Sequence, residues 1–331
     1  MDKHLTRFLP FIPRRGFRNS HIQTLAGNFL PRPNRLPLPQ ERFVRIDDQV
    51  QILCHCHWQP RRTDVLTLVI VHGLEGSSSS QYVIGTGSKA WAAGMNVVRM
   101  NMRNCGGTDQ HAVSLYHSGL SGDVYSVIQE LVQAERLTKI AMVGYSMGGN
   151  LVLKLAGELG KNAPLELRAA AAVSPATDLG ISADALHERQ NLVYEARFLA
   201  GLKQRFKRKV KLFPQTYELP DMRKLRTLRD FDHQVTARYS GFQSADDYYA
   251  RASSSQFLQD IAIPTLIIHS TDDPFIRMSN ETRQKLLSNP SIEYLETQHG
   301  GHCAFLADPT GYDGRWAEQT TIDFLQKLTS Q

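Results

Sequence analysis

Gly144-Tyr145-Ser146-Met147-Gly148-Gly149 is the stretch on which the reading of this chain turns. It follows the apolar run 140–143 and precedes a helix-compatible pattern over 150–159, so a Gly-x-Ser-x-Gly match falls between a strand and a helix. A strand-to-helix turn that tight has no room for side chains at its flanks. Glycines at 144 and 148 relieve the crowding, and Ser146 is held out over the carboxyl edge of a sheet. The helix starting beside it offers unpaired amides, Met147 N–H first among them, to a developing oxyanion.

Working outward, residues 65–71 form a β-branched run ending at His72-Gly73, and similar short buried runs recur at 96–100, 140–143, 169–173 and 265–268. Helical spacings lie between them at 88–93, 120–131 and 150–159, with Ser121 and Asp123 suited to a helix start, and a last helix is expected over 314–328. Strand then helix, repeated, predicts an α/β fold with a mostly parallel sheet covered on both faces. The rhythm breaks after Pro175 and resumes at Pro264. That gap reads as a mainly helical cap inserted at about 176–255, within a domain spanning 46–331. Residues 1–45, rich in proline, read as an N-terminal arm packed as loops.

A serine hydroxyl is a weak nucleophile and needs a base, an orienting carboxylate and a second oxyanion donor. Asp272 and Asp273 follow the strand at 265–268, and His299 and His302 come later, giving the chain order Ser, Asp, His. His72-Gly73-Leu74-Glu75-Gly76, after the first buried strand, offers the N–H of Leu74 as the second donor.

With these segments, together with Asn101-Met102-Arg103-Asn104-Cys105-Gly106-Gly107, Asp272-Asp273-Pro274-Phe275, Gly300-Gly301-His302 and His21-Ile22-Gln23-Thr24-Leu25, the chain resembles the α/β-hydrolases, specifically the YheT-like esterases. The resemblance covers most of the chain. It implies a serine hydrolase that cleaves short- to medium-chain acyl esters or monoacylglycerol-like lipids. Ser146 is then the nucleophile, His302 the base, Asp273 the orienting acid, and Leu74 and Met147 the oxyanion donors. Asp273 is preferred to Asp272 because the acid of such loops ends a Gly-x-x-Asp turn in which Ser270 stands for the glycine, leaving Asp272 to cap the loop. Serine at the elbow disfavours the aspartate- and cysteine-based chemistries of the same fold. The mechanism calls for no cofactor and no metal. An alcohol O-acyltransferase using the same acyl-enzyme, or a non-catalytic binding protein on the same fold, are the alternatives.

Other features admit plainer readings. Cys54-His55-Cys56-His57 fits a strand with thiols on one face and imidazoles on the other better than a metal site. Arg103 and Asp123 suit a loop-fixing ion pair, and Cys105 and Cys303 suit packed positions. The chain has 331 residues and a net charge of +6, but residues 1–45 carry +7 and residues 203–229 carry +8, which leaves an acidic body. Six cations in Lys203–Lys211 around Phe206 read as a solvated helix face, with contact to an anionic membrane surface as the sharper alternative and no nucleic acid expected. The longest stretch without a charged residue is 14 residues, too short to span a bilayer, which needs about 20. Four sparse cysteines and no secretory signal lead to an expectation of a reduced, cytoplasmic setting for a protein whose oligomeric state the sequence leaves open.

Overall fold

The buried β-branched runs form the middle of one eight-stranded sheet. The computed structural model describes residues 8–329; residues 1–7, the start of the expected arm, and residues 330–331 lie outside it. The strands are β1 (Gln40–Asp47), β2 (Val50–His57), β3 (Thr67–Val71), β4 (Asn96–Met100), β5 (Ile140–Tyr145), β6 (Leu167–Val173), β7 (Thr265–Ser270) and β8 (Ile292–Thr297). Their order is β1-β2-β4-β3-β5-β6-β7-β8. β1 pairs antiparallel with β2 and β2 with β4, while every pair from β4 to β8 is parallel. Val69, Val71 and Met142 belong to the core on one face, and Leu68, Ile70 and Val143 to the core on the other. Two-sided burial is why these strands read as unbroken apolar runs.

β1 and β8 were not anticipated, because each is an edge strand. β1 is largely exposed and carries Glu41, Arg42 and Arg45, and β8 is half-buried along most of its length, so neither contains a buried run. The Cys54 to His57 alternation lies in β2, with both thiols buried in the core and no group of metal ligands among the described residues. The expected ion pair of Arg103 with Asp123 forms, Nε donating to Oδ2 at 2.6 Å. The helix anticipated over 88–93 begins earlier and runs Gln81–Ala92, its front half disguised by Gly85 and Gly87.

The arm is not all loop. It contains a helix, Ser20–Phe29, capped by the Asn19 side chain, and β1 starts within it at Gln40. Beyond that helix, Arg32 inserts against the first turn of the last helix, Trp316–Thr329, where its Nε meets Glu318 Oε1 at 2.5 Å with both side chains almost wholly buried. Gly85 makes the space: a Cβ there would stand 2.4 Å from Glu318 Oε2 and 2.5 Å from Arg32 Cδ.

Parallel strands send their following loops to one edge. The segments after β3, β5, β6, β7 and β8 therefore gather above the sheet, and between β6 and β7 the chain makes a helical excursion through Leu179–Leu186, Leu192–Leu212, Leu228–Phe231 and Ala245–Ala252. No helix among the described residues is long and apolar enough to cross a membrane.

Removing one member of a buried ion pair strands the other, at a cost of about 3–5 kcal/mol. Glu318→Leu is therefore expected to lower the melting temperature sharply, and more than Arg32→Met, which leaves Glu318 its second partner Lys89; thermal unfolding followed by circular dichroism checks the order.

Candidate active site

Ser146 sits at φ +55°, a strained conformation for a residue with a Cβ, between β5 and the helix Met147–Leu159. Its neighbours explain the glycines. A Cβ on Gly144 would lie 2.1 Å from Gly148 O, and one on Gly148 would lie 2.4 Å from the carbonyl oxygens of both Val71 and His72. The elbow is thus pressed against the end of β3. It is pinned on the other side by Ser146 N–H donating to Val173 O at 3.0 Å.

The loop after β3 is fixed by its own hydrogen bonds. Met102 N–H donates to His72 Nε2 at 3.1 Å, which leaves Nδ1 to donate to Gly73 O at 2.8 Å, and burial holds this imidazole neutral by pulling its pKa down to about 4. Gly73 N–H is taken by Tyr82 Oη at 2.9 Å. Glu75 accepts from Tyr116 Oη at 2.7 Å and from Arg205 Nε at 2.9 Å. The N–H groups of Leu74 and Met147 have no hydrogen-bond partner among the described residues, so both remain available as donors.

His302 Nδ1 stands 2.8 Å from Asp273 Oδ2, and Asp273 Oδ1 accepts from Ile276 N–H at 2.9 Å and Phe275 N–H at 3.1 Å. Burial alone would raise the Asp273 carboxyl, but the His302 charge and hydrogen bond outweigh it and hold the pKa below the usual carboxylate value. The competing residues find each other instead: His299 Nδ1 lies 3.3 Å from Asp272 Oδ2, and Asp272 Oδ1 caps the loop by accepting from Gly301 N–H at 2.9 Å.

The histidine loop and the elbow converge on the end of β6. Cys303 N–H donates to Ser174 Oγ at 3.1 Å, and Cys303 Sγ approaches Val173 O at 3.6 Å, the carbonyl that also holds Ser146. Cys303 is more than a packed residue. Its Sγ lies 3.6 Å from His302 Nε2, while Ser146 Oγ makes no hydrogen bond to any described residue. Burial would pull the His302 imidazole down, yet the Cys303 sulfur and then the Asp273 carboxylate outweigh it, and its pKa is pushed up to about 10. Cys105, by contrast, is fully buried, and burial pushes its thiol up to about 12.

Sequence reasoning missed the support from the arm. Thr24 Oγ1 accepts His302 N–H at 2.9 Å and donates to Ser20 O at 2.7 Å, and Gln23 Oε1 accepts Leu306 N–H. Both residues lie in the His21 to Leu25 segment already singled out, so the signal was present without its geometry. The basic run is also not a single solvated face. Arg205 and Lys209 turn inward, Arg205 onto Glu75 and Lys209 onto the carbonyls of Asp109 and Ala112, and Arg208 pairs with Asp109. Phe206 between them is buried in the core.

A cavity of about 910 Å³, mouth included, lies over this site between the sheet edge and the helical excursion. Leu74, Ser146 and Met147 line it from the sheet side, and Leu202, Phe198 and Phe275 make much of its wall apolar.

The strand order, the elbow and the loops gathered at one edge define an α/β-hydrolase, and residues 67–309 match the family model described as alpha/beta hydrolase fold; the chain belongs to that family. It is 34% identical over 326 residues to the protein named "Putative esterase YheT" of Escherichia coli, covering 95% of this chain and 92% of that one. "Medium-chain fatty acid ethyl ester synthase/esterase 2" of Saccharomyces cerevisiae is 27% identical over 88% of this chain and 66% of its own. Human "Phospholipase ABHD3" is 27% identical over 77% of this chain but only 61% of its own length. Among solved structures, Est1E of Butyrivibrio proteoclasticus with ferulic acid bound superposes with a TM-score of 0.56 at 15% identity over 88% of this chain and all of that one, a likeness of fold.

A folded-state pKa above the ordinary 6.5 favours the imidazolium, so this group's contribution to stability is complete below pH 6.5 and is lost as pH rises toward about 10. NMR titration of His302 is expected to give a midpoint above 6.5, and Asp273→Asn and Cys303→Ala are each expected to bring it down.

Proposed function

We propose that the chain hydrolyses carboxylic esters through an acyl-enzyme on Ser146, and that the helical excursion serves as the cap that shapes the acyl pocket. The observation that carries this reading is the hydrogen bond between His302 and Asp273, presented by the separate loops after β8 and β7, the first of which is tied through Cys303 to the β6 end that pins the strained Ser146 elbow.

In the reaction, Ser146 Oγ turns onto His302 Nε2, the position Cys303 Sγ now faces, as an ester carbonyl enters; hydrogen bonds of this kind commonly tighten only in the substrate complex. His302 takes the hydroxyl proton while Oγ attacks. Asp273 fixes Nδ1 as the protonated nitrogen and stabilises the imidazolium that forms. The N–H groups of Leu74 and Met147 receive the oxyanion, an arrangement in which each donor is worth roughly 3–4 kcal/mol at the transition state. The protonated His302 then gives its proton to the leaving alkoxide. Water repeats the sequence on the acyl-enzyme and releases the acid.

The apolar wall supports acyl substrates of short to medium length, in keeping with the yeast relative's name. Because the neutral imidazole is the base and its pKa is held above the ordinary 6.5, the rate should still be climbing well above pH 6.5, toward about 10.

Wild type is expected to be labelled by a fluorophosphonate and to hydrolyse p-nitrophenyl esters. Ser146→Ala should abolish the labelling, Asp273→Asn should lower kcat by on the order of 10⁴, and Asp272→Asn should cost far less. An unlabelled but folded wild type, or equal losses for the two aspartate variants, contradicts the assignment.

A further inference from the structure

The cavity wall contributed by the helical excursion is not apolar throughout. Asp232 lines the same cavity as Ser146 and is 8% exposed. Its Oδ1 accepts from Thr236 Oγ1 at 2.7 Å and its Oδ2 from Tyr249 Oη at 2.8 Å. Among the described residues no cation stands within ion-pair distance: Arg229, one turn away, is taken by Asp184 and Asp246. A buried carboxylate without a counter-charge is costly, and burial pushes this one up to about 6. Neither residue that bonds it cancels its charge, and each oxygen keeps further acceptor capacity.

The backbone at this point is also unusual. Between the helical turns Leu228–Phe231 and Arg238–Ser240 the chain adopts a π-helix over Asp232–Ala237. Such bulges lengthen one turn, recur at functional sites and redirect side chains. Here the bulge begins at Asp232.

His117 lines the cavity as well, its ring edge-on to Tyr248, which in turn packs beside Tyr249. Gly119 N–H donates to His117 Nδ1 at 3.1 Å, so the hydrogen is on Nε2, which has no acceptor among the described residues. Burial, with Arg103, Lys154 and Arg251 nearby, pulls this imidazole down to about 3 and keeps it neutral. One cavity wall therefore presents a carboxylate acceptor and a neutral imidazole donor.

We propose that this wall is a subsite for a hydroxyl group of the substrate, with Asp232 accepting a hydrogen bond from it and His117 donating one to oxygen on the same tail. The inference rests on the esterase reading above and adds the substrate class: esters with a hydroxyl remote from the scissile bond. An ammonium fits less well, because the donor His117 and the surrounding cations oppose it, as does Arg205 in the same cavity. The hydroxyl can belong to the acyl chain or to the alcohol.

Two substrate series separate those sources: p-nitrophenyl ω-hydroxyacyl esters against plain acyl esters, and monoesters of diols against those of simple alcohols, each over a range of chain lengths. In one series the hydroxylated ester should have the higher kcat/KM at a preferred length. Asp232→Leu should cut that hydroxylated-to-plain ratio about tenfold, the loss of a charge-assisted hydrogen bond, and Asp232→Asn, which keeps one acceptor oxygen and exchanges the other for an amide donor, should cut it less. The Asn variant also serves if the Leu variant melts early. Separately, binding of a diol and of the matching alkanol to Ser146→Ala is compared by thermal shift, with and without Asp232→Asn. A diol preference that weakens in the double variant supports the subsite even if no ester is turned over, in which case the esterase reading alone fails. No preference for hydroxylated ligands in any arm, or an equal loss for hydroxylated and plain esters in the Asp232 variants, overturns the proposal.

Discussion

The rest of the structure depends on the near-contact between the elbow after β5 and the end of β3. With Gly148 lying where any Cβ would come within 2.4 Å of two carbonyl oxygens, the helix Met147–Leu159 can start close above the sheet, and Ser146 is forced to φ +55°. That strain is tolerated because backbone on both sides holds it: β3 below, and Val173 O receiving Ser146 N–H at the side. The same approach brings Leu74 and Met147 to the lining of one cavity.

Around this point the supports come from distant parts of the chain. The helix Ser20–Phe29 holds the histidine loop through Thr24 and Gln23, and Arg32 ties the following segment to the last helix through Glu318. From the opposite side, Arg205 on the long helix Leu192–Leu212 grips Glu75 and lies over the Tyr116 ring. The arm and the helical excursion therefore each brace one loop of the candidate site. A basic segment that looks like a surface patch when counted as charge is, in its inward half, an anchor.

Most of the frame was legible in the sequence. Central strands, buried on both faces, show as unbroken apolar runs, and the strand-elbow-helix unit shows because glycine spacing records a steric demand. The edge strands β1 and β8 escaped because one side of each faces solvent and their apolar residues are diluted. The front of the helix Gln81–Ala92 escaped because Gly85 is there for the Arg32–Glu318 pair rather than for helix propensity. At the site, the turn position of Asp273 favours it over Asp272 as the partner of His302, with Asp272 left to cap the loop. In the fold the two carboxylates diverge, one to His302 and one to Gly301 and His299, as neighbours in an extended turn must.

By itself, then, the sequence determined the strand-helix alternation, the glycine-flanked serine and the Ser, Asp, His order, because these are local patterns imposed by sterics and burial. Tertiary structure alone decided which aspartate meets which histidine, that Thr24 holds the His302 backbone, that Cys303 stands beside His302 Nε2, and that Arg205 and Lys209 point inward. Each of these is a contact between segments far apart in the chain or a direction of a side chain about its backbone. Neither quantity is encoded in spacing; both are settled only when the sheet brings its loops to one edge.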